Sequence, residues 1–392
     1  MQLAQRVQQL PPYLFAAISR MIEAKRAEGV DVISLGIGDP DLPTPPYLIE
    51  RLQQAATDPA NHRYPESEGL PELREAMARW YANRHGVVLD PASEVVVLLG
   101  SKEGIAHLPL CLIDPGEISL ITDPGYPVYE VATMFAGGES VRIPLTEENG
   151  WLPNLDDIAP ADASRARILW LNYPNNPTGA LADLPFFERA VAWARDNDVV
   201  IAHDLAYADV TFDGYVAPSI LEVDGARDVA IEFNSLSKTF NMTGWRAAMA
   251  VGNAEVIDAL TRVKTNMDSG LPQAIQQMAI TALDDPRDSI TSHNEIYQRR
   301  RDRAVEVLQE LGLHLDPPKA SLYVWARLPS SEPSSGDFAA RLVNETGVVV
   351  TPGASYGDAG EGYIRISLTV PDDRLDEALS RLSRFARGES VF

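Results

Sequence analysis

Short runs of β-branched and apolar residues alternate along this chain with longer stretches in which apolar residues recur at helical spacing. Six such runs lie at 94–99, 118–122, 168–172, 199–203, 230–233 and 247–251. Between two of them, Leu184 to Asn197 has the spacing of an amphipathic helix and ends in polar residues. Apolar strands that alternate with such helices are typical of a sheet covered on both faces. The pattern predicts an α/β protein with a mostly parallel central sheet.

The pattern changes in the last quarter of the chain. A helical stretch at 295–311 leads into strand-like runs at 321–328, 348–351 and 363–369, and residues 329–336 have the composition of a surface loop. These elements predict a second, smaller α+β domain.

Polar motifs stand directly after five of the predicted strands. They are Gly100-Ser101-Lys102, Asp123 to Tyr126, Tyr173 to Gly179, Asp204 to Tyr207 and Asn234 to Lys238. Ligands of open α/β sheets bind beyond the carboxyl ends of the strands. We therefore expect these motifs to meet in a single site.

Composition narrows the possible partners. The chain has 392 residues, which fits two domains, and 45% of them are hydrophobic, which argues against disorder. A formal charge of -23 would repel nucleic acids and anionic membranes, because both are bound through clustered Lys and Arg. A small anionic substrate is still possible, since a local basic cluster can form inside an acidic protein.

The remaining composition favours an unsecreted, cytoplasmic protein without metal. The single cysteine, Cys111, cannot form an intrachain disulfide and is predicted to be a buried apolar position. The N-terminal residues lack the features of a signal peptide, and no run approaches the length of a membrane span. The histidines have no ligand spacing, so we expect no metal site. They are His62, His85, His107, His203, His293 and His314.

One lysine stands among hydroxyl side chains at 234–246. Lys238 can form a Schiff base with a carbonyl, and Ser235 and Ser237 can donate hydrogen bonds to a phosphate. The planar guanidinium of Arg246 can bind that phosphate through two nitrogens. Pyridoxal 5′-phosphate carries both an aldehyde and a phosphate, so the segment predicts a site for it. Taken alone, Ser-x-Ser-Lys is also a common polar turn.

Together, these motifs resemble those of the fold-type I, class I/II aminotransferases. The matching segments are 64–74 (YPESEGLPELR), 100–104 (GSKEG), 123–127 (DPGYP), 173–179 (YPNNPTG), 204–207 (DLAY), 234–246 (NSLSKTFNMTGWR) and 363–367 (YIRIS). They stand in the family's order over nearly the whole chain. Two further segments, 10–15 (LPPYLF) and 35–39 (LGIGD), look most like the LL-diaminopimelate aminotransferases and their relatives.

The resemblance implies an architecture and an assembly. It implies the fold of type I pyridoxal-phosphate transferases, with a large cofactor-binding domain at 46–290 and a small domain formed by 1–45 plus 291–392. It also implies a homodimer with shared active sites, because Tyr64 resembles a tyrosine that reaches the phosphate of the neighbouring subunit.

The resemblance also assigns catalytic roles. Asp204 has the family position of the carboxylate that keeps the cofactor's ring nitrogen protonated. Tyr207 and Asn176 match the groups that hydrogen-bond the ring's 3-oxygen. Lys238 holds the cofactor at rest and then carries the substrate proton. Tyr126 matches the aromatic ring that stacks on the pyridine.

Phosphate contacts follow partly from the pattern itself. Gly100-Ser101 closes a strand and opens a helix, where free backbone N–H groups attract an anion. The predicted phosphate ligands are Ser101, Lys102, Ser235, Ser237 and Arg246.

Substrate recognition is expected to rest on Arg365, whose guanidinium suits an α-carboxylate. Gly38 matches a backbone contact to the same carboxylate, and Asn176 and Tyr13 complete the predicted substrate contacts. One residue departs from the family pattern. Well-studied diaminopimelate aminotransferases have a glutamate three residues after the tyrosine that corresponds to Tyr64, and this chain has Ser67 there.

The resulting hypothesis is a pyridoxal-phosphate aminotransferase with LL-diaminopimelate as leading donor and 2-oxoglutarate as acceptor. A general aspartate, alanine or aromatic aminotransferase is an alternative, and a C–S β-lyase on the same cofactor is another. A ligand-sensing domain of a transcription regulator is disfavoured, since no segment is basic enough to bind DNA.

Overall fold

The fold is that of a computed structural model, which describes residues 2–10 and 14–391. The strands are β1 (Ile33–Ser34), β2 (Val95–Leu99), β3 (Ile118–Asp123), β4 (Glu139–Pro144), β5 (Ala166–Leu171), β6 (Val200–Asp204), β7 (Ala230–Ser235), β8 (Ala247–Gly252), β9 (Tyr323–Arg327), β10 (Val348–Val349), β11 (Thr351–Pro352) and β12 (Tyr363–Ser367). The helices are α1 (Gln5–Gln8), α2 (Leu14–Ala27), α3 (Pro46–Ala56), α4 (Pro71–His85), α5 (Ser101–Leu112), α6 (Val128–Ala136), α7 (Pro160–Ala163), α8 (Leu184–Asn197), α9 (Ala226–Val229), α10 (Leu236–Thr239), α11 (Ala254–Thr265), α12 (Gln273–Asp284), α13 (Ser289–Glu310), α14 (Ser335–Thr346) and α15 (Asp372–Ala386).

Seven strands form the central sheet in the order β2-β8-β7-β6-β5-β3-β4. Strands β4, β3, β5, β6 and β7 run parallel, and β8 lies antiparallel to both of its neighbours. The prediction of a mostly parallel sheet is confirmed. The apolar pattern missed β4, because this edge strand buries only Ile143 and has polar residues at Glu139, Ser140 and Arg142.

Both faces of the central sheet are covered, as its apolar strands require. On one face Leu169 and Leu171 pack with Met77, Phe187 and other residues of α4 and α8. On the other face Trp170 packs among residues of α5 and α6. Each fully buried Leu contributes roughly 1.5–3 kcal/mol of hydrophobic stabilisation.

The smaller sheet is antiparallel, in the order β11-β12-β9. The N-terminal segment joins this region: Ile33 of β1 pairs in parallel with Val348 of β10, and Val32 packs against Val349. Tyr207 also belongs to this second core, although its position in the chain lies well inside 46–290. The domain boundaries at 45/46 and 290/291 stay a prediction.

The structure tests the individual helix and loop predictions. Helix α8 spans Leu184–Asn197 as predicted, and the Asp183 side chain caps it by accepting from the Phe186 N–H. The predicted helix at 295–311 begins earlier, at Ser289. The predicted loop at 329–336 ends earlier, because Ser334 caps α14. Of the described helices, none has both the length and the apolar composition that a membrane span requires.

Candidate active site

A cavity of about 530 Å³ opens where the predicted motifs meet, at the carboxyl edge of the parallel strands. Most of the predicted site residues line it: Gly38, Ser101, Lys102, Tyr126, Asn176, Asp204, Tyr207, Ser235, Ser237, Lys238 and Arg246. The expectation that the motifs form one cluster is met by these residues.

The antiparallel strand β8 explains why Arg246 joins this edge. Leu99 at the end of β2 pairs with Ala247 at the start of β8, and Ser235 at the end of β7 pairs with Ala248. Strand β8 runs antiparallel to β2 and β7, so its start lies beside their ends. Arg246, which directly precedes β8, therefore lies beside the residues that follow β2 and β7. Reversing one strand thus brings Arg246 to the same edge as Lys238.

Lys238 lies on the one-turn helix α10 and is half-buried in the cavity wall. Its Nζ donates a 3.1 Å hydrogen bond to the carbonyl of Gly38. Burial lowers the pKa of the ammonium; the charges of Tyr323 and Asp39 oppose this, and that of Arg246 adds to it. A lysine whose proton is loosely held is suited to nucleophilic and proton-transfer chemistry.

Asp204 ends β6 and is buried. Its carboxylate accepts hydrogen bonds from the Tyr129 hydroxyl at 2.9 Å and from the Ala206 N–H at 3.3 Å. Burial raises the pKa of Asp204 to about 6, although the Tyr129 hydrogen bond and the nearby His203 act against the rise. No described Lys or Arg forms an ion pair with this carboxylate, so a cationic group in the cavity would find a ready partner.

Two phenols meet on the cavity wall. The hydroxyls of Tyr207 and Tyr323 lie 3.1 Å apart. Asn176 stands nearby in the wall, and its backbone N–H donates a 2.8 Å hydrogen bond to the side chain of Asn172. The backbone of Asn176 is thus held by the buried Asn172, and the two phenols hold each other.

An anion-binding corner forms where α5 begins. Gly100 precedes α5 with φ 82°, and a Cβ at this position would collide with the guanidinium of Arg246. Arg246 itself adopts a left-handed conformation, with φ 56°, which is uncommon for a side chain of its size. The hydroxyl of Ser237 is buried and has no hydrogen-bond partner among the described residues. Free N–H groups, a guanidinium and an unused hydroxyl suit a phosphate.

Arg365 is fully buried on β12 and does not line the cavity. Its Nη1 donates to Asn176 Oδ1 at 2.8 Å, and its Nη2 donates to the Gly36 carbonyl at 2.7 Å. Its Nε has no hydrogen-bond partner among the described residues. Arg365, which is predicted to bind the substrate's carboxylate, therefore contacts Asn176 and has one unused donor. The aromatic ring of Tyr323 covers its guanidinium.

Other predicted features do not join the described cavity wall. Tyr64 is 88% exposed and is not part of the cavity wall. Tyr13 lies outside the described residues. The loop with Ser67 packs against Gly270, and the exposed Glu66 flanks it on one side.

The spacing of the histidines did not predict one cluster of two carboxylates and a histidine. Ligand atoms of Glu103, His107 and Asp268 all lie within 4.8 Å of one another. The buried amine of Lys264 already forms ion pairs with Glu103 at 3.3 Å and Asp268 at 2.9 Å. The ammonium of Lys264 therefore offsets part of the negative charge of these two carboxylates.

Sequence reasoning missed Tyr129 and Tyr323, which contact Asp204 and Tyr207. An aromatic residue in a helix or strand most often belongs to the core, so the sequence alone does not mark it as a site residue. Cys111 was predicted to be buried and is only partly so, although burial still raises the pKa of its thiol to about 12.

Comparison with known proteins agrees with this geometry. The family described as aminotransferase class I and II matches residues 30–382. A relative named LL-diaminopimelate aminotransferase, from Dehalococcoides mccartyi, is 54% identical over 387 residues, which cover 99% of this chain and 100% of the relative. A protein of the same name from Moorella thermoacetica is 53% identical over 98% of each chain. The solved structure of substrate-bound BacF from Bacillus subtilis superposes with a TM-score of 0.93 at 37% identity, covering 98% of each chain.

Proposed function

The chain belongs to the class I and II aminotransferases, and we propose that it binds pyridoxal 5′-phosphate on Lys238 and transfers an amino group from LL-diaminopimelate to 2-oxoglutarate. The observation that carries the proposal is the convergence of Lys238, Asp204 and the anion-binding corner in one cavity. The family and the relatives named above use this cofactor.

The residues present fit the cofactor. The buried carboxylate of Asp204 lacks a cationic partner among the described residues, and Ser237, with its unused hydroxyl, lines the same cavity as Arg246. These features match a molecule with a basic ring nitrogen at one end and a phosphate at another. When bound, pyridoxal phosphate withdraws electrons from the substrate's Cα and so makes its proton acidic.

The residues of the chain then have separate tasks. Asp204 would hold the ring nitrogen's proton, which its ionised form favours. Ser101, Lys102, Ser235, Ser237 and Arg246 would hold the phosphate. Tyr126 would cover one face of the ring, and Tyr207 and Asn176 would hydrogen-bond its 3-oxygen.

Lys238 would act as the proton carrier. Its lowered pKa and its hydrogen bond to Gly38 keep the amine in the cavity with a proton that it can release. General acid–base catalysis is most effective when the pKa of the catalytic group lies near the working pH.

Arg365 would bind the substrate's α-carboxylate. Its contact with Asn176 orients the guanidinium, and its unused Nε offers a donor. The backbone of Gly38 would complete this contact, and Tyr13 would line the distal part of the substrate pocket.

Assembly as a homodimer is part of the proposal. Tyr64 is 88% exposed and outside its own cavity, which fits a role in the active site of a second copy. The enzyme would work in the cytoplasm, where its single cysteine stays reduced.

The experiment that tests the function is a donor panel. The ratio kcat/KM is measured for LL-diaminopimelate, aspartate, alanine, glutamate and phenylalanine with 2-oxoglutarate as acceptor. LL-diaminopimelate should give the highest value. If any other donor exceeds it, the general aminotransferase replaces this assignment, and release of pyruvate and ammonia without an acceptor would indicate the β-lyase.

A further inference from the structure

Tyr323 is the first residue of β9, and it lines the same cavity as Lys238. The side chain is buried, and its hydroxyl lies 3.1 Å from that of Tyr207. Two neutral phenols at this distance share one hydrogen bond, so one donates and the other accepts.

The ring of Tyr323 also fixes Arg365. The guanidinium carbon of Arg365 lies 3.9 Å from the centre of the Tyr323 ring and 4.9 Å from that of Tyr356, which lies outside the cavity wall. A buried cation over an aromatic ring is attracted by the negative face of that ring. The Tyr323 ring therefore packs against the guanidinium of Arg365, the residue predicted to bind the substrate's carboxylate.

The hydroxyl of Tyr323 presses against Gly38. A Cβ on Gly38 would collide with the Tyr323 hydroxyl, and the Gly38 carbonyl accepts the hydrogen bond from Lys238 at 3.1 Å. Because glycine has no Cβ, the backbone at Gly38, which accepts the hydrogen bond from Lys238, can approach the Tyr323 hydroxyl this closely. Tyr323 thus contacts the surroundings of Lys238, Tyr207 and Arg365 together.

We propose that Tyr323 is a positioning residue of this active site: its hydroxyl orients the hydroxyl of Tyr207, and its ring orients Arg365. The inference rests on the proposed function, because it assigns Tyr207 to the cofactor and Arg365 to the substrate carboxylate. One side chain then couples the group that hydrogen-bonds the cofactor to the group that binds the substrate.

Electrostatics indicate which phenol donates. Burial acts to raise the pKa of Tyr323, but the charges of Arg365 and Lys238 outweigh it and lower that pKa below its ordinary value. Burial and the neighbouring Tyr323 raise the pKa of Tyr207. The hydrogen bond between the two hydroxyls lowers the pKa of Tyr323 and raises that of Tyr207, so Tyr207 donates and Tyr323 accepts.

Other titratable groups also act on Tyr207, Tyr323 and their neighbours. The ring of Tyr356 lies 4.9 Å from the guanidinium carbon of Arg365, Asp204 acts on Tyr207, and Asp39 and Arg246 act on Lys238. A variant that removes only the Tyr323 hydroxyl leaves all of these groups in place.

The test uses Tyr323→Phe and Tyr323→Leu with Tyr356→Phe as matched control. In the holoenzyme, Tyr323→Phe should lower the pKa of the pH-dependent change in the cofactor's absorbance by about 1, because the hydrogen of Tyr207 loses its acceptor on Tyr323 and is free to bond the ring's 3-oxygen. Its dissociation constant for succinate, a dicarboxylate without an amino group, should change less than about twofold, whereas Tyr323→Leu should weaken succinate binding at least about tenfold. Tyr356→Phe should change neither quantity.

A second measurement is independent of the cofactor. Ultraviolet titration of the cofactor-free protein should show one tyrosine that ionises before the others, and Tyr323→Phe should remove it. The proposal is overturned if Tyr323→Phe titrates like the wild type, if Tyr356→Phe shifts the absorbance equally, or if Tyr323→Leu keeps wild-type affinity for succinate. A wild-type protein that shows no absorbance band linked to Lys238 would instead refute the proposed function.

Discussion

The Tyr129 hydroxyl donates a 2.9 Å hydrogen bond to the Asp204 carboxylate, and both side chains are buried. Tyr129 is itself held in place, because its ring stacks on Trp170 with centroids 4.6 Å apart. The carboxylate that is proposed to face the cofactor's ring nitrogen is therefore fixed in position before any ligand arrives. Such preorganisation avoids a reorganisation cost during the reaction.

Asp204→Asn should lower transamination by at least about a hundredfold, on the order of 3 kcal/mol of transition-state stabilisation. A neutral amide cannot favour the protonated ring nitrogen, although it keeps the size of the carboxylate. The measurement is kcat/KM with the preferred donor, accompanied by circular dichroism to verify the fold. Near-normal turnover would show that the carboxylate has another task.

The same variant should stabilise the cofactor-free protein. Burial raises the pKa of Asp204 from 3.8 to about 6, so the ionised carboxylate costs stability, and this cost grows as pH rises from about 4 through 6. Asp204→Asn removes that cost but leaves amide hydrogens without an acceptor. We expect a net gain in the free energy of unfolding on the order of 1 kcal/mol above pH 6. Urea unfolding at pH 5 and pH 8 measures it, and the gain should appear mainly at pH 8.

Tyr129→Phe should move cofactor binding to higher pH. The lost hydrogen bond had lowered the pKa of Asp204, so its removal raises that pKa further above 6 and leaves less ionised carboxylate at a given pH. A hydrogen bond to a charged group contributes about 1.5–3 kcal/mol, so affinity near pH 6 should fall at least about tenfold and recover partly above pH 8. Titrations of the cofactor across this pH range give the dissociation constants.

The control for this prediction is Tyr173→Phe. Tyr173 is another buried tyrosine with a single hydroxyl hydrogen bond, at 2.7 Å to the Trp151 carbonyl, and this bond is not directed at Asp204. An equal shift in both variants would mean that general loosening of the core, rather than the contact with Asp204, sets the pH dependence.

The roles of Tyr129 and Tyr323 illustrate what sequence patterns leave out. The strand runs and the motifs after them predicted the central sheet and most of the cavity wall, because apolar period and chain order determine which strand ends meet. Tyr129 and Tyr323 have the pattern of core residues, and only packing shows that their hydroxyls contact Asp204 and Tyr207. The sequence did not predict the burial of Arg365 either, because the rings of Tyr323 and Tyr356 that cover it come from distant segments.

Lys238 is predicted to carry the cofactor covalently. Borohydride reduction of the holoenzyme should abolish its visible absorbance band, and peptide mapping should find the cofactor on Lys238 alone. Lys102 lines the same cavity and Lys264 is buried in ion pairs, so these two lysines are internal controls. A label on either of them would contradict the assignment.

Tyr64 is predicted to act in the active site of the partner. Because Tyr64 is 88% exposed and outside its own cavity, Lys238→Ala and Tyr64→Phe homodimers should complement each other after subunit exchange. Half of the dimers become hybrids, and each hybrid contains one site with both native residues, so activity attributable to such sites should approach about one quarter of wild type. Activity no higher than the average of the two unmixed variants would show that Tyr64 does not act across the dimer.

The distal ammonium of the proposed donor requires an acidic partner in the site. Ser67 stands where well-studied diaminopimelate aminotransferases have a glutamate, and two acids flank it. Glu68 lies 3.8 Å from the guanidinium of Arg74, so its charge is already partly balanced. Glu66 is exposed, and no described residue forms an ion pair with it. Of the two, Glu66 is therefore the acid available to a ligand of the partner subunit.

Glu66→Gln should then lower kcat/KM for LL-diaminopimelate at least about tenfold, because a desolvated ammonium without a counter-charge is costly. The same variant should leave kcat/KM for alanine within about twofold, since alanine has no distal charge to lose a partner. Glu68→Gln is the matched control and should leave both donors nearly unchanged. If Glu68→Gln selectively impairs LL-diaminopimelate while Glu66→Gln does not, the loop presents the other acid to the substrate. If neither variant distinguishes the two donors, the distal ammonium is bound outside this loop, and Ser67 no longer bears on the choice of donor.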